Sequence, residues 1–503
     1  MKTRNLVILC ADQLRGDCLA AAGLNPDIRT PHLDALAARG VYFTRHFATF
    51  PKCVPSRVSL VTGRYCHTDG YRTIFQHLPE GTPDLLSTCK AHGYQSALFG
   101  KNHCWENLLE ASHSPPQLPP GKRGLAVDHH SWTSAFRDIF DRYRAAVVPQ
   151  PPEDEDPSAL RRFGYDAEQL RHGLDYRGRR RDWMDEAYTE QAVRFLREVR
   201  DPTRPFFLQL NIERPHTPYA VEEPYFSMYD RGRMTVYPGE LPQPAPRAYR
   251  RQREVRTANA SGDVPEAVRR EVQATYYGMV SKVDALMGRV LAAVDELRLW
   301  DDTLVLLWSD HGDFAGQYGL VEKWDTCFCD ALMHVPCVLA GAGLPGGRRV
   351  EALSDHTDLA PTCLELMRLP PLPGMHGSSL LPVVEGRRPG RRAVFADGGH
   401  ERALRERMAR TVARPGEDRK QATYRSDPDT MARAKMVRTA THKLVYRETG
   451  DHELYDLTRD RWELENLYGR PGTETVTAEL MRELLDWTLL TDPDRPEQAD
   501  VGA

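Results

Sequence analysis

Four apolar stretches of strand length each run into residues that could do chemistry. Asn5–Cys10 leads to Asp12-Gln13, and Tyr94–Phe99 to Gly100-Lys101-Asn102-His103. Pro205–Ile212 leads to Glu213-Arg214-Pro215-His216, and Thr303–Trp308 to Ser309-Asp310-His311-Gly312. Asp12, Gln13 and Asp310 offer hard oxygen ligands and His311 adds a nitrogen, a set that suits a divalent cation left partly open for substrate. Lys101, His103, His216 and the later Lys323 are cations or proton donors, and such a field matches an anionic sulfate or phosphate ester. Taken singly, each residue has an ordinary reading. An Asp after a strand forms turns, a buried His is usually hydrogen-bonded in place, and a Lys is usually solvated. Together they argue for a site, because ligands of open α/β sheets bind at the carboxyl ends of parallel strands.

Cys53 opens the run Cys53-Val54-Pro55-Ser56-Arg57, with Pro55 near a helix start and Gly63 past its end. A group at that start meets free backbone N–H groups and the positive end of the helix dipole. Arg57, one turn on, can hydrogen-bond a centre there; otherwise it is a surface arginine. The default for a lone thiol is a buried small hydrophobe.

The elements that must position these residues are legible in outline. Thr30-Pro31 opens a helix, with Thr as N-cap and Leu33, Leu36 and Ala37 on one face; Gly40 ends it. Val41–Phe47 reads as extended. From about 265 to 297, Val283, Leu286, Met287, Val290, Leu291 and Val294 form a helical apolar stripe. Val335–Leu339 is a further strand and Thr357–Met367 a helix stopped before Pro370-Pro371. Residues 111–183 are Pro-rich, with an acidic run Glu153–Asp156, a basic run Arg179–Arg181 and scattered aromatics (Trp132, Phe136, Phe163, Tyr165), as an insertion of loops and short helices would be. After Arg387–Arg392, strands follow in succession at Ala393–Ala396, Lys435–Glu448 and His452–Leu457, then a helix near Glu474–Leu489. The expected fold is α/β, a large mixed and mostly parallel sheet flanked by helices, over residues 1–385. A smaller α+β domain with an antiparallel sheet is expected over 386–503.

Cys-x-Pro-Ser-Arg, continued by Leu60-Val61-Thr62-Gly63-Arg64, resembles the signature of the type I, formylglycine-dependent sulfatases of the alkaline-phosphatase-like superfamily. Thr30–Leu36, Gly100-Lys101-Asn102-His103, Pro215-His216-Thr217-Pro218, Ser309-Asp310-His311-Gly312, Gly319–Lys323, His442-Lys443-Leu444 and Glu453–Leu457 resemble further segments of that family, in its order. The resemblance implies conversion of Cys53 to Cα-formylglycine by a maturation enzyme, its hydrate being the nucleophile. It implies one divalent metal, calcium first and manganese second, on Asp12, Gln13, Cys53, Asp310 and His311. It implies Lys101 and Lys323 on the sulfate oxygens and Arg57 beside the nucleophile. His216 would protonate the leaving alcohol, with or without Lys323, and His103 would deprotonate the second hydroxyl. Gln13 and His311 depart from the two adjacent acids and the Asp-Asn of many sulfatases, lower the ligand charge, weaken the case for tight calcium and leave room for manganese. The same pattern also resembles phosphonate monoester and phosphodiester hydrolases and choline sulfatases, so those activities compete. A third reading is a catalytically silent protein whose 112–183 insertion binds an anionic glycan.

Composition is that of an ordinary soluble globular protein, and the resemblance implies a small-molecule or carbohydrate sulfate ester as its substrate. The chain has 503 residues, with 67 Lys+Arg against 71 Asp+Glu, so bulk charge does not favour nucleic acid. The apolar runs are too short for a membrane span, and Leu6–Ala11 is too short for a signal peptide, so a cytoplasmic location is expected. Ten cysteines without zinc spacing read as reduced and buried. Oligomeric state is left open.

Overall fold

The computed structural model describes residues 5–105, 107–110, 124–131, 135–146, 160, 170, 173–254, 264–412 and 419–492. Most of the expected insertion, including Trp132, Glu153–Asp156, Phe163 and Tyr165, lies outside the described residues. Phe136 is described, and it packs edge-on against Phe99 as a core residue.

Eight strands form the main sheet: β1 (Asn5–Asp12), β2 (Val41–Phe43), β3 (Gln95–Gly100), β4 (His129–His130), β5 (Phe206–Pro215), β6 (Thr303–Ser309), β7 (Cys337–Gly341) and β8 (Arg348–Val350). Their order is β8-β2-β7-β6-β1-β5-β3-β4. β1 pairs in parallel with both β5 and β6, and β5 with β3; β7 alone runs against its neighbours. The expected α/β class is therefore the observed one.

β1 is buried along its whole length, which is why it reads as a continuous apolar run. Val7 and Leu9 point to one face, where α1 (Pro31–Arg39) and the long helix α4 (Glu266–Glu296) supply Leu33, Leu36, Val283, Met287 and Val290. Helix α3 (Met184–Arg194) adds Ala187 and Ala192 to that layer. Leu6 and Ile8 point the other way, onto Val54 and Val58 of α2 (Cys53–Thr62) and Leu359 and Leu364 of α5 (Leu359–Met367). All ten cysteines are free and buried. No helix among the described residues is long and apolar enough to cross a membrane.

A separate antiparallel sheet runs β9 (Ala393–Gly398), β10 (Ala434–Thr439), β11 (His442–Arg447), β12 (Glu453–Asp456), followed by α6 (Glu474–Leu490). The single strand expected over Lys435–Glu448 is thus two. The turn between them carries no Gly, Asn or Pro. The Thr439 hydroxyl sets it instead, accepting the N–H groups of Thr441 and His442. Val41–Phe47 is likewise split, because His46–Phe47 leaves the main sheet to pair with His334–Val335 and Ser354–Asp355. Thr30 stands at the N-cap of α1, but its hydroxyl donates to the Asp34 carboxylate and accepts the Ala20 N–H rather than a helix backbone N–H. Lys443 on β11 is fully buried. It donates to the Phe328 carbonyl and pairs with Asp330 and Glu463, which ties the C-terminal sheet to the segment after Lys323.

Candidate functional site

Register brings the strand ends level. Ala11 stands beside Ser309 on one side and Ile212 on the other, and Gly100 stands beside Asn211. The residues that follow therefore emerge at one edge. Gly100 has φ +91°, and a Cβ there would lie 2.0 Å from the Asn211 carbonyl oxygen, so only glycine lets the chain turn into Lys101. A Cβ on Gly312 would meet the Ala331 carbonyl oxygen at the same distance, which holds the Asp310 loop close to its neighbour. Gln13 has φ +70°, a left-handed backbone that directs its N–H onto the Asp310 carboxylate at 3.1 Å.

Helix α2 presents its first residue, Cys53, to this edge, and all ten of its residues are buried. Cys53 Sγ lies 3.2 Å from His311 Nε2 and 3.6 Å from Asp12 Oδ1. One ligand atom each from Asp12, Cys53, Asp310 and His311 falls within 4.8 Å of all the others. These donors fit a divalent ion: two carboxylates, an imidazole nitrogen and a fourth group from residue 53, gathered where water is excluded. His311 donates from Nδ1 to the Gly312 carbonyl at 2.9 Å, which orients the ring with Nε2 toward the cluster, the atom that would ligate an ion once deprotonated.

Arg57 binds both acids. Its Nε reaches Asp310 at 2.9 Å, its Nη2 reaches Asp12 at 3.1 Å, and its Nη1 holds the Lys101 carbonyl at 3.0 Å. The expected contact to the nucleophile is thus made through the carboxylates beside it. Lys101 Nζ lies 2.8 Å from Asp12 Oδ2. Lys323 Nζ donates to Gln13 Oε1 at 2.5 Å and to His216 Nε2 at 3.0 Å, while His216 Nδ1 donates to the Thr217 carbonyl at 2.7 Å. The site residues expected from sequence are therefore together, and among them His103 makes none of these contacts. His103 is half-buried, and its Nδ1 is enclosed without a hydrogen-bond partner among the described residues.

Charge follows from this crowding. Burial works against the Asp12 carboxylate, but Lys101, His216, Arg57 and Lys323 hold it well below the usual range. Burial and Asp12 oppose a Cys53 thiolate, yet Lys323 and His311 bring the thiol down to about 5. Burial, with Lys101 and Lys323, keeps His216 neutral well below the usual imidazole range. Burial opposes the Lys323 charge too, but Cys53, Glu322, Asp12 and Asp310 hold its pKa above the ordinary lysine value.

Supporting residues escaped the sequence reading. Lys52, just before α2, is ion-paired with buried Asp325 on the Lys323 segment. The Ser56 hydroxyl donates to the Asp310 carbonyl, and His356 stands 2.8 Å from it. Buried Asp185 accepts the N–H groups of Glu213 and Arg214 and so fixes the loop that carries His216. Asp313 and Tyr219 brace Gln13 and Glu322. Ser56 stands inside the Cys-x-Pro-Ser-Arg run and Asp313 three residues past Asp310 in the same polar run; the others are partners made by tertiary packing.

Comparison with known proteins agrees with this arrangement. The chain is 26% identical to PehA, a multifunctional alkaline phosphatase superfamily protein of Trinickia caryophylli, over 97% of this chain and 96% of that one. It is 25% identical to the choline-sulfatase of Rhizobium meliloti, over 93% and 83% respectively. The fold superposes on the phosphonate monoester hydrolase of Agrobacterium radiobacter with a TM-score of 0.75 at 24% identity, covering 97% of this chain and 96% of that one. The family model described as Sulfatase matches residues 4–369, so the strand-end cluster and the helix that begins at Cys53 fall within the matched span, and the chain belongs to the sulfatase family.

Proposed function

We propose that this protein is a sulfuric ester hydrolase that splits a sulfate ester into alcohol and inorganic sulfate, with residue 53 matured to formylglycine. The observation that carries the reading is the position of Cys53 at the N-terminus of a buried helix, 3.2 Å from His311 and within the Asp12–Asp310 pair. Asp12, Gln13, residue 53, Asp310 and His311 would hold one divalent ion, calcium first and manganese second. When bound, that ion supplies Lewis-acid stabilisation of charge on the sulfuryl oxygens. Hydrated formylglycine supplies a geminal diol, one oxygen to attack sulfur and a second to expel the sulfate.

Lys101 and Lys323 bind the sulfate oxygens, and their charge is already directed into the site by Asp12 and Gln13. His216 has its Nδ1 proton committed to Thr217 and its Nε2 hydrogen-bonded to Lys323, so the pair together delivers a proton to the leaving alcohol oxygen as its negative charge develops. His103, with an unpartnered Nδ1, takes the proton released when sulfate departs. The ester would come from the small-molecule or carbohydrate sulfates. A dedicated maturation enzyme would oxidise Cys53.

A second reading, a phosphonate monoester or phosphodiester hydrolase, is favoured by the pairs Asp12-Gln13 and Asp310-His311. Competition between an aryl sulfate, an aryl phosphonate and an aryl phosphodiester at equal concentration separates the two. The sulfatase reading expects kcat/KM for the sulfate to exceed the others by about tenfold or more. A ratio inverted in favour of the phosphonate or the diester would make that second activity the principal one.

A further inference from the structure

Asp313 is a fully buried carboxylate whose side chain has no cationic partner among the described residues; neutral donors surround it. The Tyr219 hydroxyl donates to Oδ1 at 2.5 Å and the Ala315 N–H to the same oxygen at 2.6 Å, while Oδ2 accepts from Gln13 Nε2. We propose that Asp313 is a positioning residue that decides which way the Gln13 amide faces and thereby aims the Lys323 ammonium. The proposal rests on the sulfate ester reading and adds a residue to it.

Gln13 stands between a carboxylate, which can only accept, and an ammonium, which can only donate. One orientation of the amide serves both: Nε2 to Asp313, and Oε1 to Lys323 Nζ at 2.5 Å. Turned over, its NH2 would face the ammonium and its oxygen the carboxylate. Lys323 then has acceptors on three sides, Gln13 Oε1, His216 Nε2 at 3.0 Å and, longest, Glu322 Oε1 at 3.3 Å, the last being the contact a sulfate oxygen would replace. Fixing one of these directions fixes the rotation of the ammonium, and with it the proton that faces His216. Tyr219 closes the arrangement, since its oxygen also accepts the Glu322 N–H at 2.8 Å. An acid at position 13 would meet Asp313 as a like charge, so the amide and the acid are a matched pair.

The test is a cycle of Asp313→Asn, Gln13→Glu and the double variant, which keeps the net charge of the parent. In Asp313→Asn, the new side-chain oxygen stays with Tyr219 and Ala315, so its NH2 meets the Gln13 NH2. The alkyl sulfate rate, which needs a delivered proton, should fall by about ten- to a hundredfold. The nitrophenyl sulfate rate, with a leaving group that needs none, should fall much less. In the double variant, the carboxylate introduced at position 13 accepts both from the amide introduced at position 313 and from Lys323. That variant should recover most of the alkyl-to-aryl rate ratio and of the thermal midpoint lost in either single variant. An unchanged ratio in Asp313→Asn, or strictly additive losses in the double variant, would overturn the proposal. If the parent protein hydrolyses no sulfate ester, the functional reading fails, and the thermal midpoints alone decide. Coupling between positions 13 and 313 then supports the orientation, and additivity overturns it.

Discussion

Replacing Cys53 with alanine will remove sulfate ester hydrolysis while leaving the protein folded. Its Sγ is the one ligand atom that α2 gives to the Asp12–Asp310–His311 cluster, and the residue is 2% exposed; Arg57 on the same helix is held by the two acids and Ser56 by the Asp310 carbonyl, so neither takes its place as nucleophile. Loss of a nucleophile that acts as a unit with its partners typically costs roughly 10⁵–10⁶-fold in kcat. The substitution deletes one atom from a helix held by Val54 and Val58 in the core and by Lys52 at its start, so the thermal midpoint should move by no more than about 5 °C. Steady-state kinetics and a melting curve on the same preparation check both parts. A variant that melts like the parent and keeps more than about a hundredth of its rate would place the nucleophile elsewhere.

Arg57→Ala has the other large effect, and it strikes stability first. Asp12 and Asp310 are both fully buried, and one guanidinium, itself 1% exposed, neutralises the two. Without it Asp12 keeps Lys101, while Asp310 faces another carboxylate and keeps only His311 at 3.8 Å and the more distant charge of Lys323. Removing one member of a buried charge group typically costs about 3–5 kcal/mol, because the partner is left uncompensated. Denaturant titration in chelator should show a loss of that size. Excess calcium or manganese should restore part of it, since an ion bound to the native state alone adds positive charge where the arginine was. A loss that is the same with and without metal would mean that Arg57 serves packing and not the charge balance of this site.

The parts of the site that were legible in the sequence are those whose chemistry is local. Cys53–Arg57 is a contiguous motif at a helix start, and Asp12, Lys101, His216 and Asp310 each follow a run apolar enough to be a buried strand. The parallel register of β1, β3, β5 and β6 then joins them. What the sequence hid depends on contacts between distant segments. Lys52–Asp325, Ser56–His356 and Tyr219–Asp313 join residues with no shared periodicity, and any one of them alone reads as a surface or turn residue. The β10–β11 turn was hidden for a different reason. A threonine side chain does there what a glycine or asparagine usually does, so the apolar alternation runs on without punctuation.

The central claim is that residue 53 acts as an aldehyde within this cluster. Its most direct test is the mass of the peptide containing residue 53, taken from preparations matured to different extents by a formylglycine-generating system, set against the sulfate ester hydrolysis rate of each preparation. The account predicts a rate proportional to the aldehyde fraction, falling to zero where every molecule carries the thiol. Full activity in protein whose residue 53 is wholly unmodified cysteine would contradict it.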